Sequence, residues 1–140
     1  SNLERSISEI QKIYGKPNSK LPNFGLLENT DQLIAESILR QNKVFDYSVG
    51  LTNTATDIES LSKNASPKGA ARLSAQGISL MLKALSEDLR LNSAQVKLKS
   101  SQIAKENAHD KKHSELIFKG SEKLSQKLQD EKSSFQIPKL

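Results

Sequence analysis

Two histidines are the residues whose spacing most directly suggests chemistry. His109 and His113 lie four positions apart, so on a helix they share one face, which is a spacing compatible with metal binding. The chain has no cysteine, and the nearby acids Asp110 and Glu115 are not clearly placed as third ligands. The two lysines between the histidines would repel a cation. We therefore interpret the pair as part of a solvated helix face and predict no metal site.

The other polar residues do not form a catalytic set. Serines are abundant, but the histidines that could act as their base lie in the most hydrophilic stretch, where nothing would desolvate them. The acidic pairs at 87–88 and 130–131 are adjacent in sequence, so their side chains diverge around a helix. Gly69 and Gly77 have packing spacing and are not part of a phosphate-binding loop. The sequence thus predicts neither an enzyme nor a cofactor.

Composition favours exposed helices over a globule that encloses a pocket. In 140 residues, hydrophobic residues make up 35% and aromatic residues 4%, with no Trp. Such a chain has enough apolar surface for one narrow core, but little to wall a deep cavity. The net charge is +5, yet acidic residues are interleaved with the lysines, whereas a phosphate-binding surface would gather Arg and Lys. We interpret the charge as solvated helix faces, with nucleic-acid binding as a disfavoured alternative.

Export remains open from the sequence. No apolar run approaches the ~20 residues that a membrane-spanning helix needs. The chain begins at Ser1 without Met, so we expect a processed or trimmed product, and the sequence is compatible with prior removal of a signal peptide.

The apolar periodicity predicts an all-α fold, an elongated helical hairpin or slender three-helix bundle with a loop appendage, in one domain. We expect a helix at about 2–14 that ends at Gly15, followed by a loop at 15–29. A second helix should span about 30–63, with Thr30 or Asp31 as its N-cap. Ser66 and Pro67 should start a long helix at about 67–132, with a break allowed near 107–120, before a tail at 133–140.

A stripe of leucines and small residues is interpreted as the packing seam of the hairpin, because its members recur at three- and four-residue spacing. The predicted structural packing residues are Gly69, Leu73, Gly77, Leu80, Ala84 and Leu91. In the loop, Leu21, Phe24 and Leu26 have two interpretations: they fold back on the nearby helices, which we favour, or they form a partly exposed contact loop.

The stretch GAARLSAQGISL at residues 69–80, continued by LSEDLRLNSAQ at residues 85–95, resembles the minor-pilin (pilus-tip) family of conjugation-type type IV secretion systems. In that family a helix start rich in small residues, with an Ala-Gln-(Ala)-Gly step, leads into a Leu-rich repeat. The resemblance covers about residues 30–110, and it gives Gly69, Ala75, Gln76 and Gly77 a packing role only. The distal segment departs from the family in having more Lys than Ala or Gln.

This resemblance implies a structural minor pilin that aids pilus assembly and contact with target or host cells. The implied partners are the major pilin, inner-membrane assembly proteins and a host-cell surface protein, with no small-molecule substrate. The implied location is periplasmic or on the extracellular pilus, after removal of a signal peptide not present in this chain. The alternative is an intracellular helical scaffold or adaptor that binds a partner helix, in which case the apolar seam would be intermolecular.

Overall fold

The computed structural model describes residues 1–64 and 69–134. This part of the chain contains α1 (Asn2–Tyr14), α2 (Phe24–Lys63) and α3 (Ala70–Ser134) and no strand, which confirms the predicted all-α fold. None of these helices is long and apolar enough to cross a membrane. The predicted helix start at Ser66 and Pro67 lies outside the described residues. Of the predicted tail at 133–140, residues 133 and 134 are part of α3, and the rest lies outside the described residues.

Two compact units divide the chain. Unit 1 comprises Ser1–Leu33 and Ile103–Leu140, and unit 2 comprises Ile34–Gln102. Unit 1 therefore contains α1, the loop after it, the start of α2 and the second half of α3. Unit 2 contains the rest of α2 and the first half of α3. The described helix α3 continues through residues 107–120, where the sequence allowed a break.

Local signals at both ends define α1. The Ser1 hydroxyl accepts a hydrogen bond from the Glu4 backbone N–H at 3.3 Å, and the Glu4 side chain reaches back to the N-terminal amine. This capping box satisfies donors that the first turn leaves without helical partners. At the other end Gly15 has φ +96°, a conformation that L side chains rarely adopt, and its N–H donates to the Gln11 carbonyl.

Helix α2 begins at Phe24, so the predicted N-cap at Thr30 or Asp31 is wrong. A turn starts it: the Leu21 N–H donates to the Asn18 carbonyl, and the Phe24 N–H donates to the Leu21 carbonyl. Thr30 lies inside the helix, where its hydroxyl donates to the Leu26 carbonyl at 2.8 Å. Asp31 is also helical, and its carboxylate accepts tertiary hydrogen bonds instead of capping the helix. Both side chains belong to types that can serve either role.

The three residues of the candidate contact loop do not form one exposed surface. Leu21 is buried, at 4% exposure, which fits the interpretation that it folds back on the nearby helices. Phe24 is half-buried at the start of α2, and Leu26 lies exposed within the first turn of that helix. The exposed Leu26 is thus a helix-surface residue and not part of a loop.

Small polar side chains form the seam of unit 2. Ser79 donates to the Ala55 carbonyl at 2.9 Å, Ser86 to the Ser48 carbonyl at 2.7 Å, and Ser93 to the Gln41 carbonyl at 3.3 Å. Partner numbers on α2 fall as those on α3 rise, so the two helix segments pair antiparallel. The three serines are 1–2% exposed, and we call them, together with Ser100, the serine seam.

The serine seam stabilises the helix pair because its small side chains let the two backbones pack closely, and not because large apolar side chains are buried there. A serine side chain is scarcely larger than alanine, so helix backbones can come near enough for its hydroxyl to reach a carbonyl of the facing helix. The facing positions on α2 are equally small: Ser48 and Ala55 are fully buried, and Ser62 is 2% exposed. Each such hydrogen bond contributes about 0.5–1.5 kcal/mol net. Among the described residues, no buried side-chain N or O lacks a hydrogen-bond partner.

Candidate interaction surface

The leucine stripe that the sequence assigns to the seam lies on the outside of unit 2. Leu73, Leu80 and Leu91 are 66%, 67% and 59% exposed, and Gly77 and Ala84 are exposed as well. A Cβ added at Gly77 would meet nothing within 4 Å, so its small size serves no close contact here. Of the predicted packing residues, Gly69 alone is half-buried. The packing prediction is therefore wrong for the free chain, because the serines occupy the interface between the helices.

These exposed residues form a regular surface, which we call the leucine stripe and define as Leu73, Leu80, Leu91 and Leu98 with the small residues between them. Leu73 and Leu80 are seven residues apart, as are Leu91 and Leu98, and the last of these is 63% exposed. Gly77, Ala84 and Ala94 occupy three of the four positions between the leucines, and the exposed Glu87 occupies the fourth, between Ala84 and Leu91. Apart from Glu87, these positions carry large or small side chains at alternating four- and three-residue steps, a spacing that matches the knobs and holes of a second helix lying alongside.

A buried polar cluster holds unit 1 together. The Lys111 ammonium donates to both carboxylate oxygens of Asp31 at 2.8 Å and to the Gly15 carbonyl at 2.7 Å. The Asn107 amide donates to Asp31 at 2.9 Å and to the Leu27 carbonyl at 3.2 Å, and Gln11 reaches the same carboxylate. Every donor contacts a protein acceptor, so the cluster cross-links α1, α2 and α3 and has no group aimed at a ligand.

This cluster is not among the residues predicted from the sequence, although the sequence carries a signal for it. Asn107 follows Ser79, Ser86, Ser93 and Ser100 at the same seven-residue spacing, which marks one continuous row of polar residues along α3. A polar row at core spacing predicts buried hydrogen bonds and not a solvated face. Lys111 lies one turn beyond Asn107, so the row also places it inside.

The two histidines do not assemble a metal site. Their rings stack with centroids 6.3 Å apart and planes 10° from parallel. Among residues 1–64 and 69–134, no group of three or more His, Asp or Glu side chains could hold a metal ion. His109 and His113 line separate grooves on α3, as described below.

In unit 2 the ion pair between Lys83 and Glu59 predicts how the Glu59 carboxyl titrates. Lys83 donates to the Glu59 carboxylate at 2.7 Å, and this hydrogen bond, together with the lysine charge, lowers the pKa of Glu59 below its ordinary value. The stabilisation is present above the unfolded-state pKa and is lost as pH falls through the lowered folded-state pKa. We expect NMR titration of the Glu59 carboxyl to give a low pKa that moves back towards normal in Lys83→Met. An unchanged pKa in that variant would contradict this assignment.

Comparison with known proteins adds no relative. No protein-family model matches the chain, and neither the curated proteins nor the solved structures contain one with detectable similarity to it.

Proposed function

We propose that this protein is a structural component of a type IV secretion pilus, without catalytic turnover, that assembles through its leucine stripe with helices of other pilus components. One observation carries the mode of action: unit 2 buries the serine seam and exposes the four leucines of the leucine stripe. A helix pair arranged in this way leaves its apolar surface for another helix to cover. The leucine stripe supplies positions at alternating four- and three-residue steps that such a helix can match.

The exposed apolar surface of unit 2 is large enough to matter for association. A large apolar side chain has about 60–120 Å² of apolar surface, and those of unit 2 listed below are on average about half exposed. Together they expose on the order of 500 Å² of apolar surface. They do not form one patch, because Ile78, Leu85 and Val96 lie roughly 120–140° around α3 from Leu73; the leucine stripe is the part of this surface that lies on one side of the helix. The contributing residues are Phe45, Tyr47, Leu61, Leu73, Ile78, Leu80, Met81, Leu85, Leu91, Val96 and Leu98.

The pilus setting rests on the resemblance of residues 69–95 to minor pilins, and the partners proposed with it are the major pilin and inner-membrane assembly proteins. The leucine stripe equally favours a second function, an intracellular scaffold that binds a partner helix. The two differ in location. Immunodetection of the protein in its natural cell, in sheared surface filaments or in the cytoplasm, separates them, and a purely cytoplasmic location would contradict the pilus proposal.

A charge-insertion variant tests the role of the leucine stripe. We expect Leu73→Glu, Leu80→Glu and Leu91→Glu together to leave the helix content of the free chain nearly unchanged, because the side chains are exposed. Loss of three apolar contacts should weaken association with the pilus by about a hundredfold or more. Co-fractionation with sheared filaments measures this loss.

The matched control changes Leu116, Leu124 and Leu128 to Glu, which are 70%, 60% and 57% exposed on the same helix. We expect this variant to co-fractionate as the unmodified protein does. Equal loss in both triple variants would mean that added negative charge, and not the leucine stripe, governs association.

A further inference from the structure

A basic groove lies in unit 1 beside the end of α1. Its volume is about 560 Å³, and the charged or titratable side chains that line it are Lys12 and Tyr14 from α1 and Lys105, His109 and Lys112 from α3. Ile13 and Ala108 supply apolar lining. No Asp or Glu is among the lining residues, so the groove presents only positive formal charge.

Helix α3 separates its charges by face at this point. Glu106 and Asp110 line a different groove of about 330 Å³, together with Asn23 and Ser114. Lys105, His109 and Lys112 recur at four- and three-residue spacing, which keeps them on one side of the helix. Lysines and acids that alternate in the sequence are thus sorted into a cationic groove and an acidic one.

An exposed apolar residue accompanies the cations. Ile13 is 74% exposed, whereas Ile10, one turn earlier on the same helix, is 5% exposed and belongs to the core. Ile13 therefore contributes little to packing in unit 1. A partner that covers it gains apolar burial at about 25 cal/mol per Å² in addition to the charge attraction.

The walls of the groove are already fixed in place. Lys111 donates to the Gly15 carbonyl at 2.7 Å and thereby ties the end of α1 to α3. Its ammonium is neutralised by Asp31 inside unit 1, so it does not contribute to the groove. A preformed groove spares a ligand the cost of ordering its walls.

We propose that this groove binds an acidic amphipathic helix of another protein, with its carboxylates on Lys12, Lys105 and Lys112 and an apolar side chain on Ile13. Nucleic acid fits this surface less well. No arginine lines the groove, and its one lining aromatic ring other than His109, that of Tyr14, is half-buried. Single-stranded nucleic acids are typically held by stacking on exposed rings and by Arg.

Fluorescence anisotropy tests the proposal with a labelled peptide of about 20 residues that has Leu at every third or fourth position, Glu beside the Leu face and Ala elsewhere. Ala favours the helix, whereas Glu at every remaining position would oppose it by charge repulsion. We expect the full chain to bind this peptide, and affinity to fall with added salt. Lys12→Glu, Lys105→Glu and Lys112→Glu together should weaken binding at least about tenfold, because each exposed charge contact contributes about 0.5 kcal/mol. The corresponding Gln triple variant, with its smaller charge change, should also weaken binding and serves if the Glu variant loses helix content.

The matched control changes Lys119, Lys123 and Lys127, exposed lysines further along α3, to Glu. It has the same net charge as the Glu triple variant of the groove. It should bind as the unmodified chain does, as should the leucine-stripe triple variant, which separates this site from the pilus proposal. The groove proposal is overturned if the variant at Lys12, Lys105 and Lys112 and the control variant at Lys119, Lys123 and Lys127 lose affinity equally. It is also overturned if Ile13→Asp has no effect, or if a single-stranded oligonucleotide of equal charge binds the groove more tightly than the peptide.

Discussion

Replacement of Asp31 by Ala is expected to lower the local stability of unit 1 by about 3–5 kcal/mol, because it leaves the buried ammonium of Lys111 without its counter-ion. Asp31 is 1% exposed and accepts hydrogen bonds from Lys111, Asn107 and Gln11. Helix α1 has 13 residues, too few to be stable alone. We therefore expect hydrogen exchange measured by NMR to show α1 amides losing protection by about a hundredfold or more.

Two companion variants make this prediction specific. Lys119→Ala removes one partner of the exposed Glu115–Lys119 ion pair on α3, and it should lower the stability by only a few tenths of a kcal/mol. Asp31→Leu combined with Lys111→Met replaces the buried charges by apolar groups of similar size and should recover much of the loss. If Asp31→Ala leaves α1 protection unchanged, the cluster does not hold α1 in place.

Substitution of Ser86 by Leu is expected to destabilise unit 2 by about 3 kcal/mol, from overpacking and loss of the hydroxyl bonds. Ser86 is 1% exposed, donates to the Ser48 carbonyl, and lies 2.8 Å from the Thr52 hydroxyl oxygen. A branched four-carbon side chain cannot occupy that space unless the helices separate. Denaturant unfolding followed by circular dichroism measures the change.

The same substitution at an exposed position is the control. Ser74→Leu on α3 should change stability by no more than about 0.5 kcal/mol in either direction. If Ser86→Leu were neutral or stabilising, residue 86 would lie outside the seam. That result would favour the leucine stripe as the packing surface between the helices.

The sequence predicts the fold class for clear physical reasons. Helix-forming residues dominate, and the apolar positions recur at helical spacing, so an all-α chain follows directly. The capping box at Ser1 and Glu4, and Gly15 at the other end, are local signals whose meaning does not depend on tertiary contacts. The start of α2 differs from the prediction because Thr and Asp can either cap a helix or bond elsewhere: Thr30 bonds to the Leu26 carbonyl within the helix, and Asp31 accepts tertiary hydrogen bonds.

The seam could not be chosen from hydrophobicity alone. Two rows run along α3, one of serines at every seventh residue (79, 86, 93 and 100) and one of leucines at 73, 80, 91 and 98, which are spaced seven, eleven and seven residues apart. Apolar burial favours the leucines as the core, whereas close helix approach with hydroxyl-to-carbonyl bonds favours the serines. A sequence rule that ranks positions by hydrophobicity registers only the first effect. The consequence for function is large, because the leucines are then available to a partner.

The distribution of charged residues on α3 is a second feature that the order of residues along the chain does not show by itself. Read along the chain, lysines and acids alternate and indicate a solvated face. Helical spacing instead places Lys105 and Lys112 in one groove and Glu106 and Asp110 in another. The helical period alone could have revealed this sorting, but the packing of α1 against α3 is what makes the cationic face a groove.

Thiol reactivity tests the central claim, the inverted arrangement of unit 2, most directly. The chain has no cysteine, so single cysteines at Ser86, Ser93, Leu80 or Leu91 report each position without background. In the purified dilute protein we predict rapid maleimide reaction at positions 80 and 91. At positions 86 and 93 the reaction should be at least about a hundredfold slower, because it requires local opening. Fast reaction at 86 and 93 with protection at 80 and 91 would contradict the account.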